Sequence, residues 1–215
     1  MNPSASASIL VVDDLSFAYP GQPPIASRWS ASIGAGVSLL YGDDGSGKST
    51  ILRMLAANQP AGGGRLTLAG ARLDAEPDVY KRKVFFVDPE TDAFDAVTAV
   101  ECASTLKAGD ARFSEASWQA LVDGFALAPH LGKQMHMLST GSRRKVWLAA
   151  ALASGRPLTL LDEPTAALDS ASIRFLWRAL AEIAEERTRA IVIASAARID
   201  SVPLSGSLEL PLRST

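Results

Sequence analysis

The chain has 215 residues, 47% of them apolar, which is enough for a packed core in one domain and argues against long disordered stretches. A net charge of -2 and a pI near 5.7 leave no electrostatic footprint for nucleic acid. The one cysteine, Cys102, excludes an internal disulfide and fits a reducing compartment. In chain order, Ile9 to Tyr19 alternates loosely and reads as a strand, broken by Pro20-Gly21 and Pro23-Pro24. Val37 to Tyr41 is a continuous apolar run, as a strand buried on both faces requires. It runs into the glycine-rich Gly42 to Gly47, and a helix is predicted over Ser49 to Ala57. Leu66 to Leu68 reads as a short edge strand and Val84 to Val87 as a buried one.

From about 98 to 135 the chain is rich in Ala, Ser and Leu without strand-like runs, and reads as a small helical lobe. A helix is predicted at Arg143 to Ala153, and a very apolar strand at Leu158 to Leu161. The basic runs Lys81-Arg82-Lys83 and Arg143-Arg144-Lys145 are expected to be solvated faces. Ile173, Leu176, Trp177, Leu180 and Ile183 recur at a helical period within Ser170 to Arg187, with Asp169 or Ser170 as N-cap. Ile191 to Ala194 is another buried strand, and Leu208 to Leu212 a last short one. Strands alternating with helices give an α/β domain with a largely parallel sheet.

Two segments carry recognisable chemistry. Gly42-Asp43-Asp44-Gly45-Ser46-Gly47-Lys48-Ser49-Thr50 satisfies G-x-x-x-x-G-K-[ST] between a strand and a helix. Glycines let backbone N–H groups curl toward phosphate oxygens at the positive end of the following helix. In that arrangement Lys48 neutralises the β- and γ-phosphates of ATP, and the Ser49 hydroxyl ligates Mg²⁺. Asp43 and Asp44 would repel a polyphosphate, so they are expected to face outward or to bond the loop's own amides. Leu158 to Leu161 ends in Asp162 and Glu163. Asp162 is the second candidate Mg²⁺ holder, and Glu163 the group that orients or deprotonates an attacking water.

Leu138-Ser139-Thr140-Gly141-Ser142 resembles the LSGGQ signature of the ABC (ATP-binding cassette) ATPases, and lies about twenty residues before Asp162, where that family carries it. Pro164-Thr165-Ala166-Ala167-Leu168-Asp169 resembles the family's D-loop, and Phe17 to Gly21 the segment whose aromatic residue, here Tyr19, stacks on adenine. The chain is thus identified as similar to ABC transporter ATP-binding subunits over Leu10 to Leu212. Its compact length resembles small bacterial export-type members such as the haem exporter ATPase of cytochrome c maturation. The resemblance implies a P-loop NTPase core at about 1–97 and 143–215, a small antiparallel β part, and a helical subdomain at about 98–142. It further implies a head-to-tail dimer, homo or hetero, in which Ser139, Thr140, Gly141 and Ser142 serve the ATP of the second cassette and Asp169 lies at the interface.

No apolar run approaches the ~18 to 20 residues of a membrane helix, and Met1 to Ser8 lacks the features of a signal peptide. The expectation is a cytoplasmic protein, peripheral on the inner face of the cell membrane through an integral membrane partner. Two departures from the family bear on rate. Asp88-Pro89-Glu90 puts Pro89 where the family has a Mg²⁺-binding glutamine, leaving Glu90 as a possible substitute. Ala196 stands where the family has its switch histidine, and the histidines present, His130 and His136, both precede the signature. ATP binding is expected, with slow hydrolysis. A degenerate cassette that binds ATP as a structural or regulatory switch stays open as the alternative. A soluble cassette of translation or repair, or a kinase or GTPase, fits less well, since twinned cassettes, long insertions and an Asn-Lys-x-Asp motif are missing from the sequence.

Overall fold

The computed structural model describes residues 8–213. Five strands form a wholly parallel sheet: β3 (Gly36–Tyr41), β6 (Val84–Phe86), β7 (Leu158–Asp162), β8 (Ala190–Ser195) and β9 (Leu204–Glu209), in the order β6-β7-β8-β3-β9. A second sheet is mainly antiparallel, with β1 (Leu10–Phe17), β2 (Ala26–Ile33), β4 (Gly63–Leu68), β5 (Ala71–Arg72) and β10 (Leu212–Arg213) in the order β10-β2-β1-β4-β5. The parallel strands are buried on both faces, and their side chains divide with period two. Val37, Leu39, Ile191, Ile193 and Leu161 pack toward the helical side. Leu40, Val192, Leu158 and Leu160 pack toward the antiparallel sheet and its neighbouring helices α1 (Lys48–Leu55) and α2 (Pro77–Arg82).

On the helical side lie α3 (Ala99–Lys107), α4 (Glu115–Gly124), α5 (Thr140–Ala153) and α6 (Ser170–Glu186). The α3 helix opens on a reciprocal capping box between Thr98 and Glu101. The cap expected for α6 is Asp169, whose carboxylate accepts the Ser172 N–H at 2.8 Å. Helix α5 begins at Thr140 rather than Arg143, because the Ser139 hydroxyl takes the Ser142 N–H as N-cap. The signature segment is thereby the first turn of that helix.

Several expectations need correction. Strand β2 escaped notice because its inward residues, Ala26, Trp29 and Ile33, do not alternate. Arg28 sits at φ +48° in a bulge that shifts the register. Leu66 to Leu68 is no edge: β4 lies between β1 and β5. The stretch Leu208 to Leu212 is two pieces, the end of β9 in the parallel sheet and the start of β10 in the other. Arg143, Arg144 and Lys145 are not a solvated face, because each is partly buried against its own partner. Among the described residues no helix is long and apolar enough to cross a membrane.

Candidate nucleotide site

The loop from Gly42 to Gly47 joins β3 to α1, and two of its glycines hold conformations that a side chain would strain: Gly45 at φ +76° and Gly47 at φ +102°. A Cβ on Gly47 would also fall 2.6 Å from the Ile25 side chain. No side chain caps the amides at the start of α1, since its N-cap is Gly47 itself. Those amides are left for an anion. Lys48 opens the helix and turns back over the loop, with its side chain 94% hidden from solvent. It donates to the carbonyl oxygens of Gly42 at 2.8 Å and Asp43 at 3.0 Å, and lies 3.5 Å from a carboxylate oxygen of Glu163. Asp43 and Asp44 are both exposed, as expected, and Asp44 reaches Lys48 only at 4.0 Å.

Asp162 is the last residue of β7, and Glu163 follows at φ +41°, a left-handed backbone rarely adopted by glutamate. That turn sends the Glu163 carboxylate toward Lys48 and toward the Ala196 N–H, whose hydrogen bond it accepts at 2.8 Å. The Asp162 carboxyl is pushed above the usual carboxylate range. Burial is the main cause, a hydrogen bond from Ser49 opposes it, and the charge of Glu163 adds to it. Its Oδ1 is buried with no hydrogen-bond partner. A divalent cation fits this donor set. One buried carboxylate oxygen lacks a partner, a hydroxyl stands beside it, and the adjacent phosphate loop would let substrate oxygens complete the octahedron that Mg²⁺ demands.

An open cleft of about 900 Å³ runs across this region, lined by Tyr19, the loop from Asp44 to Thr50, Asp162 and Glu163. Tyr19 is held there by a hydrogen bond of 3.0 Å between its hydroxyl and Thr50, and its ring meets Phe17 edge-on. Ile25, Pro211 and Arg213 also line the cleft. The sequence did not point to them, because β10 returns from the far end of the chain to pair with β2. The signature residues Ser139, Thr140, Gly141 and Ser142 are absent from this lining, and Gly141 lies instead against the loop at Ala167. A Cβ on Gly141 would fall 2.4 Å from the Ala167 carbonyl oxygen. Asp169 is drawn to Lys145 at 2.7 Å, and this hydrogen bond is the main cause that lowers its carboxyl well below the usual range.

At the glutamine's expected place, Pro89 carries no ligand and Glu90 is directed elsewhere. Glu90 pairs with Arg53 at 2.9 Å with its side chain 84% exposed, and so is directed into solvent. Arg53, on the last turn of α1, also forms two hydrogen bonds to Asp88, at 2.6 and 3.2 Å. That clamp lay outside the reach of sequence reasoning, since residues 35 and 37 apart meet only through the fold.

A phosphate loop on a parallel sheet, facing the two acids at the end of β7, two strands away from its own β3, defines a P-loop nucleotide-binding domain. The sequence model of the ABC transporter family matches residues 29–166, and this chain belongs to that family. It is 36% identical over 167 residues to the cytochrome c biogenesis ATP-binding export protein CcmA of Rhodospirillum rubrum, covering 74% of this chain and 71% of that protein. It is 28% identical over 205 residues to the thiamine import ATP-binding protein ThiQ of a Chelativorans strain, covering 94% and 82%. Its fold superimposes with a TM-score of 0.71 on a dimeric ATP-binding cassette in a post-hydrolysis state bound to ADP and Pi, at 20% identity over 87% of this chain and 88% of that one.

Proposed function

We propose that this chain binds MgATP in the cleft beside Lys48, pairs with a second cassette, and uses slow hydrolysis to drive a separate membrane-spanning protein from the inner face of the cell membrane. The observation that carries the reading is the buried Lys48 amine at the uncapped start of α1, with Asp162 and Glu163 opposite. In this reading the loop amides from Gly42 to Gly47, with Asp43 and Asp44 outward, cradle the phosphates, and Tyr19 faces adenine. Lys48 leaves its two carbonyl partners to meet the β- and γ-phosphates. Ser49 and Asp162 would hold Mg²⁺, which supplies neutralising charge to the phosphate oxygens. Glu163 takes a proton from the attacking water at its carboxylate, oriented by the Ala196 N–H. Ser139, Thr140, Gly141 and Ser142 serve the second cassette's ATP, with Asp169 at the shared face. The helical lobe from about 98 to 142 and the loop from Asp88 to Asp95 form the side that the membrane protein docks against. The relatives include an exporter and an importer, and the chemistry they share is the nucleotide step.

A second reading, ATP as a structural or regulatory ligand with little turnover, is favoured by one observation. Ala196 offers no side chain to a γ-phosphate, and its N–H is already given to Glu163. One experiment separates the readings. MgATP should raise the melting temperature of the wild type, and Lys48→Ala should lose most of that shift. Glu163→Gln should retain ATP, lose phosphate release and accumulate as a dimer by light scattering. An unchanged shift in Lys48→Ala would mean that the phosphates bind elsewhere. A monomeric Glu163→Gln at saturating ATP would favour pairing with a different cassette, and wild-type turnover no greater than that of Glu163→Gln would favour the second reading.

A further inference from the structure

Three consecutive cations follow the signature segment on α5, and each is committed to a different loop. Arg143 pairs with Asp95 at 3.0 Å and donates to the Met135 carbonyl at 3.2 Å. Lys145 holds Asp169. Arg144 turns inward, beneath the acids of β7, into a small hole lined by Pro89, Trp147, Leu148 and Pro164. There one guanidinium nitrogen donates to the carbonyl oxygens of both Asp162, at 3.2 Å, and Glu163. Its Nε is buried without a partner. Retaining a desolvated cation here is unfavourable unless its contacts offset the lost hydration. What it holds is the strained part of the site.

The left-handed backbone at Glu163, φ +41°, is strained for a residue with a side chain and persists only where the surroundings over-determine it. Five contacts do so. The Glu163 N–H donates to the Ala194 carbonyl at 3.0 Å, the side chain accepts from Ala196 and lies 3.5 Å from the Lys48 amine, and the carbonyl accepts from the Ala166 N–H at 3.0 Å and from Arg144. The first two come from β8 and the loop after it. Only Arg144 reaches this turn from the helix that begins at the signature.

We propose that Arg144 is a positioning residue: by fixing the carbonyls of Asp162 and Glu163 it aims both carboxylates into the cleft and couples the acid turn to the signature helix. This rests on the cleft being the MgATP site, and the experiment is built to separate the two claims. The first measurement uses the unliganded protein. In Arg144→Gln, hydrogen exchange should quicken about tenfold or more, as loss of a charge-assisted hydrogen bond implies, over residues 162 to 166 and 194 to 197. Helix α1 should keep its protection. Arg144→Lys, which keeps the charge and a donor, should recover part of it. The second measurement is ATP affinity with and without Mg²⁺. The variants should keep their Mg²⁺-free affinity within about threefold while the gain from Mg²⁺ shrinks about tenfold, with kcat falling and KM for MgATP rising by about that factor, since slow chemistry makes KM follow Kd. Unchanged exchange at the acid turn overturns the proposal, as does loosening of the whole chain in both variants, which would mark Arg144 as a general fold support. If the wild type binds no nucleotide yet the local exchange changes as described, the cleft reading fails and the positioning role stands.

Discussion

Asp162 carries a charge that the unliganded fold disfavours, so replacing it with its neutral isostere should stabilise the protein while removing its response to metal. The carboxylate sits at the end of β7 with Oδ1 buried and unpartnered. Burial is the largest cause of its raised pKa, Ser49 opposes it, and Glu163 and Asp88 add repulsion beyond what Arg53 relieves. A buried polar group left unsatisfied costs about 1 to 3 kcal/mol. Because the Ser49 contact satisfies part of this group, we expect Asp162→Asn to gain about 1 kcal/mol, or roughly 2 to 4 °C in Tm for a chain of this size. The sign of the pH dependence follows from linkage. A carboxyl whose folded pKa lies above its unfolded one favours folding when protonated, and that contribution is lost as pH rises through the folded value. The advantage of Asp162→Asn should therefore be largest near neutral pH and shrink on acidification. Thermal melts without nucleotide at about pH 7 and about pH 4, repeated with MgATP, make the test. The variant should start higher and rise less with MgATP. A lower Tm than wild type at neutral pH would show the carboxylate to be paired in the fold, and a gap that widens in acid would overturn the linkage argument.

Three further substitutions, all at residue 196, probe the loop that meets Glu163. Ala196→Pro deletes the N–H that holds the carboxylate and should lower kcat about tenfold or more, as for a hydrogen bond to a charged group. Ala196→Ser keeps the N–H and should turn over as the wild type does; equal phosphate release from the two variants would sink this account of how Glu163 is oriented. Ala196→His restores an imidazole at the switch position and should raise kcat about tenfold without changing ATP affinity. A silent Ala196→His would show that the loop delivers no side chain to the γ-phosphate.

What was legible in the sequence was what is local. The phosphate loop, the acids after Leu161 and the Asp169 cap lie within a few residues of the strand or helix that fixes them, so pattern alone located them. Strand β2 was lost to a single bulge at Arg28, which moves its inward residues off the period-two pattern. The basic run at residues 143 to 145 was misread for a different reason. Charge patterning averages over solvent-facing helices, whereas these three side chains lie where a helix crosses the ends of strands, and each finds an oxygen from another loop. The left-handed Glu163 left no local mark at all. Its conformation is imposed chiefly by Arg144 and by the segment from Ala194 to Ala196, two places well separated from it in the chain.

Two of the family positions that differ here, those of the glutamine and the histidine, share a physical consequence. At the glutamine's place the loop is tied by Asp88 and Glu90 to Arg53, on the helix that follows the phosphate loop. Asp88 is held well below the usual carboxylate range, chiefly by its hydrogen bond from Arg53, so it remains charged and paired at any physiological pH. At the histidine's place, a backbone N–H holds Glu163 directly. In both cases a contact that the resemblance would assign to bound metal or phosphate is replaced by one between protein groups, formed before any nucleotide arrives. Loops already fastened to one another lose less conformational entropy when the nucleotide binds, which favours affinity. They also have less differential contact to make between the empty and loaded states, and a ligand shifts a conformational equilibrium only by that difference. In the proposed reading, the movable contacts left at the phosphates are those of Lys48, now spent on Gly42, Asp43 and Glu163, and those of a second cassette's signature turn. The proposed closing of two cassettes on ATP would then carry more of the nucleotide signal than rearrangement of loops within one cassette.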